Sequence, residues 1–387
     1  MSQRPLTVML VAAEASGDDR GAGLARALRR RLGDGVRFVG VGGQKLAAEG
    51  VKSPFEISDL SIFGLLEGLL AYPMVVRRAE ETVAVAAREQ PDVAVLIDSW
   101  GFTLRVAHRL RRLDPKLPLV KYVAPQVWAS RPGRAKTAAR WFDLLLTIHN
   151  FDAPLFDRAG LKTVFVGDAT LAIDFSVADP GRLRREIGAG PDDPILLVLP
   201  GSRPVEIERV MPTFEDAVTR LKAERPNLHV VVPAAPTVAE MVRTRVAGWP
   251  HRAHVLEGDS AKHDAMKAAT VALACSGTVT TELALAGCPM VVGYRLGPFT
   301  HAILKRLIRT RWITLFNIAA QDFVAPEMVQ DDCNGADLAR EIALRLDDPA
   351  LRASQVARQD AALIKMGRGG PDANEAAANA ILELVGR

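Results

Sequence analysis

Cysteine is scarce in this chain of 387 residues: Cys275, Cys288 and Cys333 are the three present, an odd number without a CxxC spacing. A disulfide framework and a thiolate zinc cluster are therefore not expected, and a reducing compartment fits better. Aromatic residues make up only 5%, which argues against a base-stacking surface for nucleic acid. Neither sign of charge dominates, since 49 Lys+Arg against 45 Asp+Glu leave +4. Long apolar runs are missing as well. Leu6–Ala13 lacks the longer apolar region and cleavage site of a signal peptide, and Leu60–Val76 is interrupted by Glu67 and Pro73, short of a membrane span. There is no P-loop, no H-E-x-x-H pair, no internal repeat and no low-complexity tract. What remains is 49% hydrophobic and 24% charged, an ordinary globular balance long enough for two domains.

Ten short runs rich in Val, Leu and Ile lack alternation and read as strands buried on both faces. They are Thr7–Ala13, Arg37–Val41, Val93–Asp98, Leu119–Val123, Leu144–Ile148, Thr163–Val166, Ile195–Leu199, His229–Val232, Val271–Ala274 and Met290–Tyr294. Helix-like stretches lie between them, among them Gly21–Leu32, Leu104–Leu113 and Met211–Glu224. This alternation predicts two doubly wound α/β domains with a ligand cleft at the carboxyl ends of the strands. The expected divisions are 1–170, 171–360 and a helical tail over 361–387 that crosses back to the first domain.

The residues that follow each strand are thus the ones to read. Glu14, Ser16, Gly17 and Asp18 form a small-residue turn that can face a hydroxylated or anionic ligand, or simply cap a helix. Asp98 ends a fully apolar strand, where a general base belongs; a plain helix cap is the competing reading. Ser202 and Arg203, with Glu206 behind them, offer N–H donors and a guanidinium for phosphate. Ser276, Gly277 and Thr278 begin a helix, an anion site for a diphosphate, and Glu282 one turn on can hold ribose hydroxyls. Gly40-Val41-Gly42-Gly43 is no dinucleotide fingerprint, because its third glycine is misplaced. The cysteines read as core residues.

Two surfaces stand out. Residues 102–140 hold ten bases (105, 109, 111, 112, 116, 121, 131, 134, 136, 140) against one acid, Asp114, a face for phosphate or anionic lipid. Ile62, Phe63, Leu65, Leu66, Leu69 and Leu70 make one helical face strongly apolar, either a core helix or a membrane-surface helix. Ile303–Trp312 has a similar mixed character.

In order along the chain, these motifs resemble the lipid-A-disaccharide synthase family, inverting glycosyltransferases of the GT-B fold. The resemblance is carried by Ala13-Glu14-Ala15-Ser16-Gly17-Asp18, Val41-Gly42-Gly43, Ser61–Pro73, Ile97-Asp98, Ala124-Pro125-Gln126-Val127-Trp128, Leu199-Pro200-Gly201-Ser202-Arg203, Ser276-Gly277-Thr278 with Glu282, Gly287-Cys288-Pro289-Met290-Val291-Val292, and Asn317. It implies two Rossmann-like domains and transfer of 2,3-diacylglucosamine from its UDP derivative to 2,3-diacylglucosamine-1-phosphate. The expected products are the β-1,6 disaccharide 1-phosphate and UDP, made without a metal or other cofactor. It further implies Asp98 as base; Ser202, Arg203, Glu206, Ser276, Gly277, Thr278, Glu282 and Asn317 around the UDP-sugar; and Glu14, Ser16, Gly17, Asp18, Gln126 and Arg131 on the acceptor side. The implied setting is peripheral, on the anionic cytoplasmic face of the inner membrane, with no nucleic acid partner and a homo-oligomer left open. The chain departs from the family pattern at Gly167-Asp168-Ala169 (usually Gly-His-Pro), at Ser130 (usually Trp), at Phe316 (usually Pro) and in Asn317-Ile318-Ala319-Ala320-Gln321. Another UDP-sugar enzyme of the same fold, such as a 2-epimerase or a different membrane glycosyltransferase, and a non-catalytic UDP-sugar or lipid-binding protein are the competing readings.

Overall fold

A computed structural model describes residues 4–60, 72–127, 133–297 and 310–387. The membrane-surface residues Ile62, Phe63, Leu65, Leu66, Leu69 and Leu70, the acceptor-side Arg131, and 303–309 of the Ile303–Trp312 stretch lie outside them. The chain forms two compact units, one of residues up to Ala169 together with Gly369–Arg387, the other chiefly Thr170–Arg368.

The first unit is built on a six-stranded sheet in the order β2-β1-β3-β4-β5-β6. Its strands are β1 (Leu6–Ala12), β2 (Val36–Val41), β3 (Val93–Ile97), β4 (Leu119–Tyr122), β5 (Leu144–Thr147) and β6 (Thr163–Phe165). All pairings are parallel. A parallel sheet needs helices on both faces, and β1 shows how its apolar run serves both. Leu6, Val8, Leu10 and Ala12 pack on one side with Leu24 and Leu28 of the helix Ala15–Leu32. Met9 and Val11 pack on the other with Val106 and Leu110 of the helix Trp100–Leu113.

The last helix, Ala373–Leu384, belongs to this first unit. Ala377, Ala378 and Ile381 enter the same core as Leu24 and Leu28. Glu375 is paired with Arg30 and Arg31 on the first helix. The helix Pro349–Met366, by contrast, stays with the second unit and seals its sheet through Leu363 and Met366.

The second sheet has the order β12-β11-β10-β7-β8-β9, again all parallel. Its strands are β7 (Ile195–Leu199), β8 (His229–Ala234), β9 (His254–Glu257), β10 (Val271–Cys275), β11 (Met290–Tyr294) and β12 (Glu327–Val329). β9 and β12 are not among the ten apolar runs of the sequence. Both are sheet edges of three or four residues, mostly half-buried, so they carry no continuous apolar signal. No described helix is long and apolar enough to cross a membrane.

In each sheet the strand order reverses once. The chain leaves β1 toward β2 and later returns to β1's other side as β3; it leaves β7 toward β8 and returns as β10. These reversals open a crevice at the carboxyl ends of β1/β3 and of β7/β10, where ligands of doubly wound sheets bind. Asp98 and Glu14 follow the first pair; Ser202 and Ser276 follow the second.

Candidate active site

At the first crevice, Ala12 pairs with Ile97 at the last rung of β1 and β3. The next residues turn out of the sheet. Asp98 and Ser99 both take left-handed backbone, with φ of 50° and 34°. Val123, just past β4, does too at φ 73°; for a β-branched residue that is strained backbone. Such strain persists only where surrounding bonds over-determine it, and it clusters at functional sites.

The Asp98 carboxylate is about one-third exposed (35%) and faces Ser16, whose hydroxyl donates to it at 3.5 Å. One carboxylate oxygen also accepts from the Ser99 N–H at 2.9 Å. Arg20 stands 4.0 Å from Asp98 and 3.5 Å from Asp168, with only 12% of its side chain exposed. Asp168 occupies the position where the resembled family usually has histidine, so a buried arginine–carboxylate pair stands there instead. His149, past the end of β5, is buried nearby; desolvation holds its imidazole well below the usual range, so it is neutral. Gln126 is exposed.

Sequence reading missed Arg20 and Lys121. Arg20 looks like an ordinary helix-surface base. Lys121 did leave a signal, a lysine inside the apolar run Leu119–Val123, yet it was counted with the basic surface. The structure buries it completely at the centre of β4. Arg111 is also spent internally, on the carbonyls of Pro115, Leu117 and Trp141 and on Asp143. Arg112, Lys116, Lys136 and Arg140 are exposed.

Of the expected acceptor-side residues, Asp18 has its hydrogen-bond partners within the protein. Asp18 is buried, and its carboxylate accepts from the N–H groups of Gly43 (2.7 Å), Leu46 (3.1 Å) and Lys45 (2.9 Å). It therefore caps the short helix Gln44–Ala48. Gly43 is required there, because a Cβ would sit 2.8 Å from an Asp18 oxygen. Asp18→Ala strands three backbone donors, one of them buried and two partly buried. It is expected to cost about 2–4 kcal/mol, read as a lower urea midpoint, with UDP affinity unchanged. A Cβ on Gly17 would meet Ala12 and Ile97 at ordinary contact distances of 3.4 and 3.6 Å, so helix–sheet packing does not by itself demand a glycine there.

At the second crevice, Gly201 turns the chain with φ 117°, and a Cβ there would meet the Glu206 carboxylate at 2.6 Å. Glu206 is buried and accepts from the Ser202 N–H at 3.1 Å and from Arg203 at 2.9 Å. Glu206 thus braces the loop and aims Arg203, while Arg203 itself is half-exposed. Thr237 donates to the Ser202 carbonyl at 3.0 Å. Across the crevice, the helix Thr278–Leu285 starts at Ser276-Gly277-Thr278. The Ser276 hydroxyl donates to the Ile313 carbonyl at 3.2 Å, and a Cβ on Gly277 would meet nothing within 4 Å, so this helix start fronts open space. Glu282 lies one turn in, ion-paired at 2.8 Å with Lys262, another residue the sequence did not single out. A paired carboxylate retains lone pairs for ribose hydroxyls.

Asn317 likewise has its partners within the protein. It is fully buried, and its amide donates to Ala325 O and Glu327 and accepts from the N–H groups of Val324 and Ala325. The polar capacity of its side chain is used within the protein, where it braces 324–327. The three thiols are buried as expected; desolvation raises all of them, Cys288 to about 12 and Cys333 to about 11, which keeps them protonated and unreactive.

A family model described as Lipid-A-disaccharide synthetase matches residues 8–381. A lipid-A-disaccharide synthase of Rhodospirillum centenum is 41% identical over 99% of this chain and 95% of its own. One of Paramagnetospirillum magneticum is 40% identical over 98% of each. Among solved structures, the UDP co-structure of S. aureus MnaA has a TM-score of 0.65 at 16% identity, covering 98% of this chain and 97% of its own. The calicheamicin glycosyltransferase CalG4 has a TM-score of 0.60 at 17% identity, covering 100% and 99%. These two likenesses are of fold.

Proposed function

The chain belongs to the lipid-A-disaccharide synthetase family, and from that premise we propose how its residues divide the work. The activity is glycosyl transfer on a GT-B fold. 2,3-Diacylglucosamine passes from its UDP derivative to 2,3-diacylglucosamine-1-phosphate, giving the β-1,6 disaccharide 1-phosphate and UDP. A 2-epimerase reading rests on fold likeness alone, whereas the synthase relatives match in sequence along nearly the whole chain.

The observation that carries the assignment of roles is the pair of crevices. The β1/β3 crevice holds a carboxylate, Asp98, on a turn held in strained backbone. The β7/β10 crevice holds the exposed Ser202, the Arg203 guanidinium and the start of the helix Thr278–Leu285. We assign Asp98 as the base. It takes the proton of the acceptor 6-hydroxyl as that oxygen bonds to the anomeric carbon from the face opposite UDP. The bond from the anomeric carbon to the diphosphate oxygen breaks, and its electron pair leaves with UDP, inverting the centre. The negative charge that UDP gains needs oriented partners, and Arg203, Ser202 and the Ser276–Thr278 helix start supply them. Glu282 takes the ribose hydroxyls, with Lys262 setting its position. Glu14, Ser16, Gln126 and Arg131 take the acceptor side.

We also read the protein as peripheral on the anionic cytoplasmic face of the inner membrane. The exposed bases Arg112, Lys116, Lys136 and Arg140 support this, and the apolar residues of 62–70 are its proposed anchor.

The division of roles is tested by titrating UDP into variants and assaying the same proteins with both lipid sugars. Arg203 and Glu282 substitutions are expected to weaken UDP binding; Ser16 and Asp98 substitutions are expected to leave it unchanged while disaccharide formation falls. Weakened UDP binding in the Asp98 variant would overturn the assignment.

A further inference from the structure

Lys121 is the one fully buried cation in the first sheet, and its three donors all find acceptors around the Asp98 turn. Its ammonium donates to the carbonyl of Leu96 on β3 (3.4 Å), to the carbonyl of Asp98 itself, and to the hydroxyl of Thr103 on the following helix (3.1 Å). Thr103 in turn donates to the Asp98 and Ser99 carbonyls at 3.0 and 3.1 Å. Next to Lys121 in the chain, Tyr122 accepts the Asp98 N–H through its carbonyl at 2.9 Å. The left-handed Asp98–Ser99 pair is thus held from below by β4, and the lysine is the centre of that hold.

We propose that Lys121 is a positioning residue for the glycosyl transfer, its ammonium clamping the strained Asp98–Ser99 turn so that the Asp98 carboxylate meets the acceptor hydroxyl. This rests on the reading of Asp98 as the base. An ammonium has three N–H donors and no acceptor, so the protonated form matches the three acceptors and a neutral amine leaves one unmatched. The charges facing it are Asp98, from the turn after β3, and Glu14, from the turn after β1; both favour the ammonium. Burial opposes them and brings the lysine down to about 7. The clamp therefore weakens as pH rises through neutrality, and turnover falls on the alkaline side.

The test is the pH profile of kcat for Lys121→Met, run beside the wild type and Asp98→Asn. Methionine keeps the length but leaves the carbonyls of Leu96 and Asp98 without this donor, so the variant is expected to melt lower than the wild type. Its UDP affinity should be unchanged and its kcat lower by about 10²-fold, the cost of a misplaced reacting group. The alkaline fall seen in the wild type should be gone. A Lys121→Met enzyme that keeps that fall, whatever its kcat, overturns the proposal. If Lys121→Met does not fold, Thr103→Val decides. It keeps the lysine and removes one acceptor, so the alkaline fall should move to lower pH with a smaller loss of kcat; an unmoved profile overturns the proposal. If Asp98→Asn is fully active, the base reading falls and the positioning role with it. If Asp98→Asn is inactive and Lys121→Met behaves as the wild type, the positioning role alone falls.

Discussion

Asp98→Asn is expected to lower kcat by about 10²–10⁴-fold, the range for loss of a general base, while UDP affinity and thermal stability stay at wild-type values. The substitution goes far toward separating chemistry from architecture because asparagine can keep the backbone conformation of Asp98 and its Ser99 hydrogen bond. It tolerates left-handed backbone better than other side chains, and Asp98 has φ 50°. Its amide oxygen can accept the Ser99 N–H, now at 2.9 Å from a carboxylate oxygen. The contacts from Lys121 and Thr103 go to the Asp98 backbone carbonyl and are indifferent to the side chain. Proton uptake is lost, together with the negative charge that faces Arg20 and Lys121. Alanine would be a poorer probe, since it adds backbone strain at the same position. Single-turnover disaccharide formation with both lipid sugars, read beside UDP titration, gives the answer. Full turnover in Asp98→Asn would remove Asp98 as base.

Arg203→Ala is expected to lower kcat/KM for the UDP-sugar by about 10²–10³-fold, comparable to removing one donor from a site of developing negative charge. The loss has two sources. The guanidinium that meets the departing diphosphate is gone, and the buried Glu206 carboxylate loses its cation, keeping only the Ser202 N–H. Arg203→Lys separates them. It restores a positive charge but not the planar fork that pairs with phosphate and carboxylate together, so an intermediate loss is expected. Glu206 acts through Arg203 and Ser202, so Glu206→Gln should weaken UDP binding less than Arg203→Ala. UDP affinity by calorimetry, with kcat/KM for the donor, checks the series. An Arg203→Ala enzyme with wild-type UDP affinity would place the diphosphate elsewhere.

The strand ends were readable because a parallel sheet buries both faces. Runs such as Ile195–Leu199 and Val93–Ile97 are apolar throughout, so the first polar residue past each run marks the carboxyl edge. The edge strands β9 and β12 escaped because half-burial leaves no such run. The internal partners of Asp18, Glu206 and Asn317 were not legible in the sequence for a common reason. A polar residue beside a turn looks the same in sequence whether it faces a ligand or satisfies buried backbone donors nearby. Asp18 takes its partners from residues 43–46 and Asn317 from residues 324–327. Arg20 and Asp168, far apart in sequence, meet only through the fold.

Composition and strand pattern by themselves determined two doubly wound α/β domains, and the ordered motifs determined the family. Each is a local property, since burial on both faces and turn chemistry are written in consecutive residues. Strand order was decided only in three dimensions. It sets β3 beside β1 and β10 beside β7, which makes crevices out of four separate turns. It also turned Lys121, one of ten bases in a cationic stretch, inward beneath Asp98. The direction of a side chain in a buried strand depends on which neighbours the sheet supplies, and no run of consecutive residues specifies that.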